Sequence, residues 1–172
     1  MTTIRSFIAL CLTLVFYCPV ICPQDRQETG ITPTPVLSVG GEVERPQKLS
    51  IADLAKLPRR TARAKDHNGK ESVYEGVVLI DILRLAGVPF GEGLRGKKLS
   101  LCLIVEAADG YRAVFALPEL DPAFTDRVII LADRKDGNYL STTEGPLRVV
   151  VPDEKRQARW VRQVTSFIIR QI

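Results

Sequence analysis

Positive charge held on rigid backbone marks the end of this sequence as the place where chemistry is best sought. Gly145-Pro146-Leu147-Arg148-Val149-Val150-Val151-Pro152 reads as a short apolar strand between two prolines, with one Arg inside it. Lys155-Arg156-Gln157-Ala158-Arg159-Trp160-Val161-Arg162 follows, a basic run around the only Trp. A guanidinium presents a planar fork of donors that matches phosphate or carboxylate oxygens, so Arg148, Arg159 and Arg162 beside Trp160 suit a bound anion. The competing reading pairs Arg148 with a carboxylate and leaves the basic run as a solvated face.

The remaining reactive side chains are sparse. His67 is the only histidine and sits in the turn Asp66-His67-Asn68-Gly69. It titrates near neutrality and suits an acid–base or ligand contact, or simply a solvated turn. One His does not build a zinc site, which takes three or four ligands. Cys102 lies mid-strand among apolar residues and reads as a small buried hydrophobe. Asp109, Glu119, Asp121, Asp126 and Asp133 fall at turns or strand ends, where Asp is favoured for backbone reasons. Ser141-Thr142-Thr143 lacks the surroundings of a serine nucleophile, and no Gly-rich phosphate loop precedes a helix.

The elements that must position these residues alternate in period. Val36 to Val43 reads as a strand or hairpin around Gly40-Gly41. Ser50 is an N-cap for a two-turn helix over 51–57, ended by Pro58. Residues 61–75 read as two strands about Asn68-Gly69, and 79–86 as a second helix closed by Gly87. An apolar strand over 99–107 turns at Asp109-Gly110 and runs back over 111–117. Strands over 128–132, 147–151 and 164–169 complete the set. The class is α+β, with mixed β-sheets and short helices inserted between short strands.

Length and charge bound the rest. The 172 residues suit one domain with a real core. Residues 1–22 read as an export signal, with Arg5 before an apolar run that is short for a membrane span. Residues 23–35 form a flexible lead-in, and 36–172 the domain. Lipid attachment at Cys18 or Cys22 is the lesser alternative. The 24 basic and 20 acidic residues give +4, or +3 without Arg5. An excess this small, not gathered on one face, argues against a nucleic-acid partner. Without Cys11, Cys18 and Cys22 the domain keeps only Cys102, so its stability rests on a hydrophobic core rather than a disulfide.

Four segments, in order, carry a resemblance. They are Tyr74-Glu75-Gly76 leading to Ala86-Gly87-Val88, Asp109-Gly110-Tyr111, Gly145 to Pro152, and Arg159-Trp160-Val161-Arg162. Together they resemble the molybdopterin-binding domain of the sulfite oxidase family, in its short, exported, single-domain members. The resemblance implies a fold that grips a pyranopterin cofactor, with Arg148, Arg159, Trp160 and Arg162 in contact with it and Asp109 and Tyr111 at the pocket mouth. It implies a monomer too, since the dimerisation domain of larger members is absent. In catalytic members a Cys about ten residues before the first aromatic binds molybdenum; counting back from Tyr74 reaches Ala64, and no Cys lies between Cys22 and Cys102. Two readings follow. One is an exported molybdopterin-binding oxidoreductase-type protein whose metal lacks the usual protein thiolate, with substrate near His67. The other is a non-catalytic module on the same fold that holds a small anionic ligand or a partner protein.

Overall fold

The computed structural model describes residues 36–65 and 68–172. All of these lie in the compact unit Thr32–Ile172. The expected export signal and lead-in, with Cys18 and Cys22, fall outside the described residues, as does His67.

The chain opens with β1 (Leu37–Gly41) and β2 (Gln47–Leu49), which pair antiparallel. α1 (Ile51–Ala55) follows, and its start is chemically explicit. Asp53 N donates to Ser50 Oγ at 3.2 Å, and Ser50 N donates back to Asp53 Oδ2 at 3.1 Å. This reciprocal cap satisfies two amides that a helix start leaves without partners. Bonds from Lys56 and then Ser50 hold the Asp53 carboxyl well below the usual range. Whatever stability Asp53 contributes is therefore present above the ordinary carboxylate pKa and lost as the pH falls below it. Ser50→Ala is expected to cost about 1 kcal/mol, read as a lower urea midpoint with an unchanged slope.

β3 (Arg59–Lys65) and β4 (Glu71–Val78) form a hairpin, with Gly69 at φ 75° in its turn. α2 (Leu79–Leu85) buries Leu79, Ile80, Ile82 and Leu83. β5 (Leu101–Ala107) and β6 (Arg112–Ala116) form the second long hairpin. Its turn is fixed by Tyr111 N donating to Asp109 Oδ1 at 2.9 Å. A 3-10 turn (Leu117–Leu120) leads on to β7 (Ile130–Lys135), β8 (Asn138–Tyr139), β9 (Arg148–Val150) and β10 (Val164–Gln171).

The strands assemble into two five-stranded sheets. One has the order β2-β1-β10-β5-β6; the other runs β3-β4-β7-β8, with β9 also on β7. β1 and β10 pair parallel and the other ladders are antiparallel, which makes the fold α+β with a mixed sheet. Alternation along each strand turns one set of side chains into a shared core that includes Leu37, Tyr74, Leu103, Phe115, Val149 and Phe167. Cys102 is buried and free. Among the described residues no helix is long and apolar enough to cross a membrane. Sequence reading missed β2 and β8, which at three and two residues are too short for alternation to register.

Where β4 crosses β7 the register shifts between Glu75 and Gly76. A Cβ on Gly76 would stand 2.0 Å from Leu131 O and 2.6 Å from Ala132 Cα. The glycine in Tyr74-Glu75-Gly76 is thus a requirement of close backbone approach.

Candidate ligand-binding cleft

Arg148 sits on β9, whose three residues are all buried. The residue is 2% exposed, and its Nη1 is ion-paired to Glu144 Oε1. Its Cζ lies 5.3 Å from the Trp160 ring centroid and 5.7 Å from that of Tyr74. The two rings meet edge to face at 5.8 Å. Arg148 Nε, Tyr74 Oη and Trp160 Nε1 are buried without a hydrogen-bond partner. The cluster holds Trp160 in place through cation–π contact as well as packing.

Arg159 follows a different course. Its Nε donates to Glu154 Oε1 at 2.7 Å, and its Nη1 donates to Glu119 Oε2 at 3.0 Å. Its Cζ lies 4.5 Å from the centroid of Phe115. Partial burial alone would lower the Arg159 pKa, but the bonds to Glu154 and Glu119 outweigh it and leave the pKa raised. Glu119 also accepts from Ala116 N at 3.0 Å, which ties the network to the 3-10 turn. Both guanidiniums are therefore taken up by carboxylates of the chain itself. Arg162 is exposed and makes no ion pair among the described residues.

A cleft of about 790 Å³ opens between β3 and residues 152–157. Arg63, Lys65, Lys155 and Arg156 line it, with Ala64 between the first two. Lys65, Lys155 and Arg156 make no ion pair among the described residues, and Arg63 has a loose one at 3.8 Å to Glu71. Glu154, held by Arg159, belongs to the opposite wall, and Gln157 Nε2 donates to Lys65 O across the gap. Among the described residues β3 pairs only with β4, so this wall is a sheet edge with cations along it. Ala64 is 4% exposed. Its register partner is Ser72, and the next pair on the same face is Ala62 with Tyr74. The Arg148–Tyr74–Trp160 cluster therefore lies on the face of β3–β4 that Ala64 shares.

A smaller recess of about 370 Å³ adjoins the cleft through Gln157, which lines both. Asp109, Tyr111, Trp160 and Arg162 all line it. The fold thus gathers four of the residues singled out in the sequence, while Arg148 and Arg159 line neither space. The cleft's own cations Arg63 and Lys65 escaped sequence reading, because a hairpin strand rich in Arg and Lys reads as an ordinary solvated edge. Only contact with residues 152–157 turns it into a wall. No group of three or more His, Cys, Asp or Glu is gathered to hold a metal ion among the described residues.

The profile of the family described as oxidoreductase molybdopterin binding domain matches residues 32–170. The crystal structure of the sulfane dehydrogenase SoxCD from Paracoccus pantotrophus contains a similar fold, with a TM-score of 0.60 at 23% identity. That match covers 77% of this chain, and this chain spans only 37% of the SoxCD chain. No curated protein matches the sequence.

Proposed function

The chain belongs to the oxidoreductase molybdopterin binding domain family, and we propose that it is an exported binder of a phosphorylated pterin, seated in the cleft between β3 and residues 152–157. The observation that carries this reading is the set of cations around Ala64. Lys65, Lys155 and Arg156 make no ion pair among the described residues and converge on one space from two segments far apart in sequence. A phosphate is a doubly charged anion and is met best by several fixed cations. Arg148 and Arg159 act behind the ligand on this reading. The first braces Trp160, and the second holds Glu154 and with it the 152–157 wall.

The fit has two parts with different outcomes. The phosphate end is well matched by cations that carry no other bond. The metal end is not matched: Ala64, the position counted back from Tyr74, offers the cleft a methyl group where a thiolate would be needed. Ser72, its register partner, is 2% exposed and does not line the cleft, so it supplies no ligand either. A pterin carried here would bind without a sulfur ligand from this chain, and the redox chemistry would be that of the bound group. The same mismatch supports the second reading, a non-catalytic module that keeps the anion pocket.

The test is to purify the full chain from a molybdenum-competent host that exports it, then assay bound pterin by fluorescence after oxidation and molybdenum by elemental analysis. Pterin in near-stoichiometric amount is expected. Lys155→Glu with Arg156→Glu is expected to lower its retention about 100-fold, as two charge-assisted contacts are reversed. Protein that carries neither pterin nor metal overturns the proposal. Pterin without molybdenum supports the binding module, and Ala64→Cys is then expected to raise the molybdenum content.

A further inference from the structure

We infer that the recess beside the cleft is a separate site for a small zwitterion, a ligand that carries an ammonium and a carboxylate a few ångströms apart. Arg162 and Asp109 both line this recess and form no ion pair with each other among the described residues. Two opposite charges border one space without neutralising each other. A single anion would satisfy Arg162 and be repelled by Asp109; a single cation would do the reverse. A ligand bearing both charges, with its carboxylate on Arg162 and its ammonium on Asp109, satisfies each.

The walls between the two charges suit an ammonium as well. Tyr111 is 51% exposed yet fixed, because its hydroxyl donates to Ala158 O at 2.7 Å. Trp160 is held from behind by Arg148 and Tyr74. Trp160 is 4% exposed, which leaves Tyr111 as the ring open to a cationic head. An exposed ring bound down in this way contributes contact area with little ordering cost on binding.

The backbone gives a further, independent sign. Gln163 lines the same recess with φ 48°, a left-handed conformation that a residue with a side chain rarely adopts. It is held there from both ends. Its N donates to Glu144 O at 3.0 Å, its Nε2 donates to Thr142 O at 2.8 Å, and its O accepts from Ala108 N at 3.0 Å. Strain of this kind persists where the surroundings over-determine it, and it gathers at binding sites. Here it fixes the backbone next to Arg162. At about 370 Å³ the recess admits an amino acid or a betaine, not a large cofactor.

The experiment is calorimetric titration of the full chain with glycine betaine and with L-valine, using sodium acetate and tetramethylammonium chloride as single-charge controls. At least one of the two zwitterions is expected to bind at least about 10-fold more tightly than either control, since each control lacks one charge-assisted contact. Betaine alone indicates a quaternary head held by Tyr111; valine alone indicates N–H donation to Asp109. Arg162→Leu is expected to weaken the zwitterion about 10- to 100-fold. Asp109→Asn keeps the acceptor that Tyr111 N uses, and it should abolish the preference over acetate. Lys155→Glu with Arg156→Glu, which disables the neighbouring cleft, should leave zwitterion affinity within about twofold if the sites are distinct. Failure of both zwitterions to bind more tightly than the two controls overturns the inference, as does unchanged affinity in Arg162→Leu. Loss of zwitterion binding in the cleft variant assigns the ligand to the cleft instead and overturns it too.

Discussion

Arg148→Ala is expected to lower the stability of the domain by about 3–5 kcal/mol, measured as the shift of the urea midpoint at constant slope. The guanidinium is almost wholly buried, and its removal leaves the Glu144 carboxylate, only 20% exposed, without its countercharge. Breaking one side of a buried pair is far costlier than never having the pair, because the remaining charge is already desolvated. The substitution also removes the cation packed against the rings of Trp160 and Tyr74. Arg148→Met with Glu144→Gln removes both charges and keeps most of the volume, so it should recover more than half of the loss. A loss under about 1 kcal/mol in the single variant would mean that the pair behaves as a solvent-screened surface bridge.

Gly76→Ala should be nearly as damaging, at about 3 kcal/mol or more, the upper end of what overpacking costs. The atoms that a new Cβ would meet, Leu131 O and Ala132 Cα, are backbone of the neighbouring strand rather than a side chain that can swing away. Relief requires β4 and β7 to separate, and these two strands carry the second sheet. Gly69→Ala is the natural comparison. There a Cβ meets nothing within 4 Å, and only the left-handed backbone opposes it. That change should cost about 1–2 kcal/mol. Equal losses at the two positions, in parallel thermal melts, would show that β4 and β7 yield more readily than their close approach implies.

Much of the framework was legible in the sequence because local chemistry decided it. Ser50 before an apolar helical pattern gave α1, and both helices begin where the pattern places them. Asn68-Gly69 gave the β3–β4 hairpin and Asp109-Gly110 gave the β5–β6 hairpin. What sequence could not give was which charge meets which. Arg159 finds Glu119 forty residues away, and Lys65 meets Gln157 ninety-two residues away. Pairings of that range depend on how two sheets pack, which alternation and turn residues do not encode. The basic run near the end of the chain therefore read as one group. The fold divides it among a wall clamp, a cleft and a recess.

The position of β10 bears on how the domain comes into being. Of the strands in its sheet it is the last to be synthesised, yet it lies in the middle, between β1 and β5. Until it arrives, β1 has no parallel neighbour and β5 shows a bare edge, so the first sheet exists only as two separate hairpins. Growth from the ribosome cannot settle this half of the molecule step by step, because β10 follows every other strand of the sheet. A nascent chain of this design keeps that sheet open until β10 has emerged, and joins its two hairpins only then.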